Sequence, residues 1–340
     1  MDRASSGIVL LPEGVEPAER PRLPEGPALL EIRHAVRAWL AAHPGPVAVA
    51  LSGGADSLAL TAATVAEAEA PNVRALIVDH GLQEGSAEVA ATAAARALEL
   101  GVVDARVLPV HVTGSGGTEA AARRARYDAL NLARGDASVL VAHTLDDQAE
   151  TVLLGLGRGS GPRSIAGMTA FAAPWGRPLL GVRRAITRAA CVELGLEPFE
   201  DPHNADSDFT RVRLRHEVLP LLEDVLGGGV AAALARTAEQ LREDGDVLDA
   251  LAGSVADTDG PDIEVSAIET LAPAVRRRVL RRWLLGRGVT SSTDRQLRAV
   301  DALVVRWTGQ GGVALPGGTP DARLVCSRRR GRLSVGLENE

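Results

Sequence analysis

Two short stretches of this 340-residue chain concentrate groups able to do chemistry. The first is Ser52-Gly53-Gly54-Ala55-Asp56-Ser57. Adjacent glycines let the backbone approach an anion closely, and Ser52 and Ser57 add hydroxyl donors. Asp56 is the odd member. A carboxylate beside bound phosphates repels them unless a cation lies between, so its presence implies Mg²⁺. The second stretch runs from His143 through Asp146, Asp147 and Glu150. Three carboxylates and an imidazole within eight residues exceed what a helix cap needs. They can hold Mg²⁺ or a cationic amine. The plainer reading of both stretches is a helix start capped by acidic and hydroxyl side chains for stability alone.

The flanking sequence supplies the elements that would position these groups. Val47–Leu51 is a short apolar run after Pro44, Gly45 and Pro46, which predicts a buried strand. The glycine stretch follows it, and Leu58–Ala70 predicts a helix. A second strand, from Asn72 to Val78, ends in Asp79 and His80, placed where open α/β sheets bind ligands. A helix over Ser86–Leu100 and a strand over Ala105–Val112 come next. The helix predicted over Thr118–Arg134 carries Arg123 and Arg126 on one face with Tyr127. A fourth strand, Ser138–Ala142, runs into the acidic stretch. Strands alternating with helices predict a doubly wound parallel sheet.

Beyond it lies a Gly/Arg segment with Arg158 and Arg163, then a short strand over Trp175–Val182 and a helix over Arg183–Leu194. Phe199–Leu222 enters a helix bearing Arg211. Gly227–Gly229 marks a break. The remainder reads as a smaller, mostly helical domain: helices over Val230–Ser254, Pro273–Leu285 and Thr293–Trp307, then a short β-rich end. Arg276, Arg277 and Arg278 lie on the second of these helices. The expected domains are a leader over 1–27, a catalytic domain over 28–225 and a basic domain over 226–340.

Composition narrows the function classes. The chain contains no lysine, which excludes a Walker-type phosphate loop and a pyridoxal-phosphate Schiff base. Its two cysteines form no CxxC pair, which argues against a disulfide framework, zinc or an iron–sulfur cluster and for a reducing cytoplasm. No apolar run reaches about 18 residues, so no membrane span is expected. The net charge is −7, but from Leu271 onward 14 Arg face five acidic residues. A basic end on an acidic body suggests a polyanion partner.

Taken together, the motifs resemble the tRNA(Ile)-lysidine synthetases of the PP-loop (N-type ATP pyrophosphatase) superfamily. The matching pieces are SGGADS at 52–57, VDHGL at 78–82, EAAARRARY at 119–127, AHTLDDQAET at 142–151, LGRGSG at 156–161, RPLL at 177–180 and the 201–222 segment. The resemblance implies ATP and Mg²⁺ as cofactors, with an isoleucine tRNA of CAU anticodon and free L-lysine as co-substrates and a homodimer as a common assembly. It implies adenylation of the wobble cytidine at its C2 oxygen, then displacement of AMP by the lysine ε-amine.

On this resemblance Ser52, Gly53, Gly54, Ala55, Asp56 and Ser57 bind ATP. Asp79, His80, His143, Asp146, Asp147 and Glu150 serve catalysis or lysine, and Asp56 and Asp147 hold metal. Arg123, Arg126, Arg158, Arg211, Arg276, Arg277 and Arg278 meet phosphates or tRNA. Two positions depart from the family pattern, Gln83 and Val212, where Arg and Asn are common. Readings left open are a tRNA thiolase, an ammonia-dependent amidating ligase and a nucleotide-binding sensor without catalysis.

Overall fold

The computed structural model describes residues 23–68, 73–81, 83, 85–112, 118–159, 161–201, 209–255, 258–319 and 322–339. Most of the expected leader lies outside them, as do Leu82, Ser160 and residues 202–208 of the matching segments. The chain forms two compact units. One comprises residues up to Leu153 together with Met168–Ala235. The other comprises Leu154–Gly167 together with Arg236–Glu340.

The first unit opens with helix α1 (Pro27–Ala42), which puts Pro27 where a missing N–H costs nothing. The Glu193 carboxylate accepts the free N–H groups of Ala28 and Leu29 at 3.1 and 2.8 Å. Strand β1 (Val47–Ala50) is buried along its whole length, as an apolar run in a parallel sheet must be. Helix α2 (Ala55–Glu67) begins three residues earlier than the periodicity predicts. Gly54 is extended and its carbonyl accepts the N–H groups of Ser57 and Leu58, so Asp56 and Ser57 sit in the first helical turn.

The remaining elements are β2 (Arg74–Asp79), α3 (Ser86–Glu99), β3 (Asp104–Pro109), α4 (Thr118–Ala133), β4 (Ser138–Leu140) and α5 (Leu145–Gly157). The short helix α6 (Pro162–Ile165) belongs to the second unit. Strands β5 (Phe171–Ala172) and β6 (Trp175–Gly176) and helix α7 (Arg184–Glu193) follow. The strand expected over Trp175–Val182 is thus only two residues long. A Cβ at Gly176 would collide with the side chains of Trp39 and Leu140, so only glycine fits where β6 meets the sheet.

The sheet order is β3-β2-β1-β4-β6-β5, parallel except for the β5–β6 pair. Chain order reverses between β1 and β4, the crevice where doubly wound sheets bind ligands. Both chemistry-bearing stretches follow these two strands. One face of the sheet packs against α1, α2, α3 and α7 through Leu29, Ile32, Leu58, Ala63 and Cys191. Helix α8 (Thr210–Arg213) passes through a wider, π-helical turn over Leu214–Val218 into α9 (Leu219–Val225). Pro220 has no N–H to return to His216, which accounts for the widening.

The second unit takes in most of α10 (Val230–Val255), then β7 (Asp262–Glu264), α11 (Pro273–Gly286), α12 (Asp294–Val305), β8 (Val313–Thr319), β9 (Ala322–Arg329) and β10 (Arg332–Asn339). Its four-stranded antiparallel sheet, β7-β10-β9-β8, is larger than the β-rich end expected. Trp283, Leu280, Val279, Val300, Cys326 and Leu333 fill its core. No single described helix is long and apolar enough to cross a membrane.

Candidate functional site

The glycine stretch has the geometry that a phosphate cradle needs. Gly53 has φ +82°, a conformation open to glycine and costly for other residues, and its carbonyl accepts the N–H of Phe199 at 2.9 Å. Ser52 and Ser57 hydroxyls lie 3.2 Å apart, at the N-terminus of α2. The positive end of that helix favours an anion at this point.

Beside the cradle is a cavity of about 340 Å³, lined among others by Ser52, Asp79, His80, Gln83, Arg126 and Phe199. Asp79 and His80 therefore belong to this cavity, and none of Asp146, Asp147 and Glu150 lines it. The His80 Nδ1 is buried and has no hydrogen-bond partner among the described residues. Burial and the Arg126 charge lower the His80 pKa, which keeps the ring neutral. Gln83, at the position where the family often has Arg, donates to Asp201 Oδ1 at 3.1 Å. Arg123 is exposed, with its guanidinium 4.9 Å from the Tyr127 ring. Val212, the other departure, is buried at the start of the widened helix.

The acidic stretch opens α5, and its members divide. The Asp147 Oδ2 accepts the N–H and hydroxyl of Thr144, both at 2.8 Å, which is ordinary capping. Its Oδ1 instead takes Arg184 Nη2 at 2.6 Å and Arg215 Nη2 at 3.4 Å. Glu150 is fully buried and takes Arg215 Nε at 2.8 Å and Arg184 Nη1 at 3.4 Å. Arg211 approaches the same carboxylate at 3.8 Å. Asp146 accepts the backbone N–H of Arg184 at 2.8 Å and pairs with Arg183 at 3.1 Å, so it caps α7. Asp146, expected among the catalytic or lysine-binding groups, is thus engaged at the start of α7. The cap reading explains Asp146 and half of Asp147, and leaves Glu150 and the other half holding cations.

Arg184 joins the two stretches. Its Nε also lies 3.5 Å from Asp56 Oδ2. Asp56 accepts a hydrogen bond from the Thr187 hydroxyl as well. Burial raises the Asp56 pKa, and Asp147 adds to the rise against the pull of Thr187 and Arg184. Burial acts the same way on Asp147, but Arg184 and the Thr144 bonds outweigh it and hold that carboxyl below its usual range. His143, at the end of β4, is driven down to about 4 by burial, against the opposing Asp147 charge. Its Nδ1 is buried with no partner among the described residues.

Among the described residues no group of three His, Cys, Asp or Glu could hold a metal alone. Asp56 and Asp147 nevertheless converge on one guanidinium, so this pair already accepts a cation. Two carboxylates completed by substrate phosphate oxygens form the donor set Mg²⁺ takes. The residues fit that ion. Arg184 lies outside the linear motifs, and Arg215 lies within the matching 201–222 segment with nothing there to single it out. Their signal was available only as arginines spaced to face an acidic helix start: Arg215 lies four residues after Arg211.

In the second unit Arg158 is exposed at the end of α5. Arg276 is not available to phosphate, which corrects the expectation for it. It is 5 % exposed, with Nε 2.5 Å from Asp301 and Nη1 2.6 Å from the Leu271 carbonyl. Arg278 pairs with Asp249 at 2.8 Å, as does Arg163 at 2.6 Å. Arg277 has no ion-pair partner among the described residues. Burial and the neighbouring charges of Arg163 and Arg278 lower the Arg281 pKa, as expected for guanidinium groups crowded around too few carboxylates.

Residues 31–222 match the family model described as a PP-loop domain, and residues 264–334 match that of the TilS substrate binding domain. The chain is 68 % identical to a tRNA(Ile)-lysidine synthase of Rhodococcus jostii, over 93 % of this chain and 98 % of that protein. It is 65 % identical to one of Nocardia farcinica, over 89 % of this chain and 97 % of that one. Among solved structures, the U34-tRNA thiolase of Methanococcus maripaludis superposes over 64 % of this chain and 80 % of that one. Its TM-score of 0.51 at 20 % identity reflects fold alone. This extent of identity over nearly the whole chain, with the matched PP-loop domain, shows that the chain belongs to the tRNA(Ile)-lysidine synthase family.

Proposed function

We propose that the protein ligates L-lysine to C2 of the wobble cytidine in the CAU-anticodon isoleucine tRNA, converting ATP to AMP and pyrophosphate. The observation that carries this reading is the single guanidinium of Arg184, which touches the phosphate-side Asp56 and the cation-accepting Asp147 and Glu150. One site therefore serves a nucleotide and an amine.

ATP occupies the cavity beside the glycine stretch, with its phosphates at the start of α2 and its base near His80 and Arg126. The C2 oxygen of cytidine attacks the α-phosphorus and pyrophosphate leaves. The lysine amine then attacks C2, the C2–O bond breaks and AMP departs. Asp56 and Asp147 would hold Mg²⁺, which would supply screening of the phosphate charge. Asp147 and Glu150 receive the lysine amine, and Asp146 keeps α7 and Arg184 in place. Neutral His143 relays a proton near the acidic helix without retaining it. A wobble base lies in a single-stranded loop, so it can be splayed into such a site.

Arg158, Arg277 and Arg281 offer the second unit's charge to the tRNA backbone. Such an enzyme works in the cytoplasm, where its tRNA is. The buried Cys191 and Cys326 give no support to a thiolase. Incubation with ATP, labelled lysine and the tRNA transcript, followed by nucleoside digestion, tests the reading. Label in a modified cytidine is expected, and label absent from the digest refutes it. Pyrophosphate exchange that needs no tRNA would instead indicate an amidating ligase.

A further inference from the structure

The carboxylates assigned to the lysine amine already hold cations. Asp147 and Glu150 are bridged by both Arg184 and Arg215. An ammonium ion needs the same oxygens, so lysine and both guanidinium groups compete for them. The two arginines differ in what else they reach. Arg215 approaches from the widened helical turn and, among the described residues, bonds the acidic helix start. Arg184 stands at the first turn of α7, with its backbone N–H held by Asp146, and extends to Asp56 at the start of α2. That contact brings its guanidinium 3.5 Å from a residue in the first turn of α2, the helix start that would face the phosphates. Phosphate oxygens are strong guanidinium acceptors, and a nucleotide brings several of them.

We propose that Arg184 is a positioning residue that exchanges carboxylates for phosphate when nucleotide binds, so that the lysine site opens only after ATP is in place. The proposal rests on the reading that Asp147 and Glu150 receive the lysine amine. Arg215 stays on Glu150 throughout and keeps that buried carboxylate oriented. Nucleotide and lysine are then positively linked although they occupy opposite ends of one guanidinium's reach, and each strengthens the other's binding by the same factor.

Equilibrium dialysis of labelled L-lysine against the full chain, with and without a non-hydrolysable ATP analogue and Mg²⁺, tests this. Wild-type protein should bind lysine on the order of tenfold tighter with the analogue, a size usual for linked sites. Arg184→Gln should bind lysine equally in both conditions, and without nucleotide at least as tightly as wild type does with it. Arg184→Lys, which keeps the charge, should recover part of the linkage. Equal wild-type affinity in both conditions overturns the proposal, whatever the variants do. So does an unchanged linkage in folded Arg184→Gln. Glu150→Gln separates the two layers. If it abolishes lysine binding while Arg184→Gln keeps the full linkage, the amine site stands and the exchange falls. If it leaves lysine affinity unaltered in every condition, the amine is not at Glu150 and both fall.

Discussion

Replacing Arg276 with Ala should unfold rather than disarm the protein. The three consecutive arginines of α11 look equivalent by charge, yet Arg276 is 5 % exposed and its partner Asp301 is 8 % exposed. The guanidinium makes two bonds to Asp301, at 2.5 and 3.3 Å, and two to the carbonyls of Leu271 and Glu269, at 2.6 and 3.3 Å. Removing it leaves a buried carboxylate without a counter-charge, which costs about 3–5 kcal/mol. Urea unfolding should report that loss. Arg276→Met with Asp301→Leu should recover most of it, because a buried pair replaced by apolar groups of similar volume is often neutral or stabilising. tRNA affinity of the double variant should keep the wild-type dependence on salt. Arg277→Ala should do the reverse: stability within about 0.5 kcal/mol of wild type, and a salt slope shallower by roughly 0.7–0.9 for one lost phosphate contact. Arg276→Ala retaining wild-type stability while flattening the salt slope would refute this assignment.

Other outcomes follow from the first unit. Asp56→Ala should cut tRNA-dependent pyrophosphate release by about a hundredfold or more, the scale set by one lost electrostatic stabiliser; wild-type release would remove Asp56 from phosphate chemistry. Glu150→Gln should leave pyrophosphate exchange within a few fold of wild type while lysine incorporation collapses; equal loss of both steps in folded protein would place Glu150 on the nucleotide side. The His143 pKa falls from 6.5 to about 4 on folding, so its contribution to stability is complete above pH 6.5 and disappears as pH drops toward 4. Urea unfolding between pH 7.5 and 5 should show His143→Gln losing less stability than wild type, and equal losses would contradict a buried neutral ring.

The two chemistry-bearing stretches were legible because each is a local pattern at a strand's end: SGGADS after β1 and the acidic run after β4. Alternation of apolar strands with helices likewise announced the parallel sheet. Arg184 was not legible. It reaches Asp56 from 128 residues away, through α7 packing on α2, and no spacing encodes that contact. Arg276 is a different kind of miss, since its signal was present. It shares a helical stripe with Val279, Leu280 and Trp283, all fully buried, and periodicity should have outweighed the charge count. The two-residue strands β5 and β6 fall below the length at which alternation can be read.

The second unit is discontinuous in sequence, which bears on how it can be made. Arg163 and the Ala166 carbonyl come from the early segment Leu154–Gly167, while their partners Asp249 and Arg242 lie on α10. During synthesis the early segment leaves the ribosome well before its partners exist, so it waits as an unpaired basic stretch until α10 emerges. Domains that arise as continuous stretches can finish folding as soon as their last residue appears. This one cannot be started until the first unit's chain is nearly complete, and a fragment beginning at Arg236 would lack the peptide that Arg242 and Asp249 close upon.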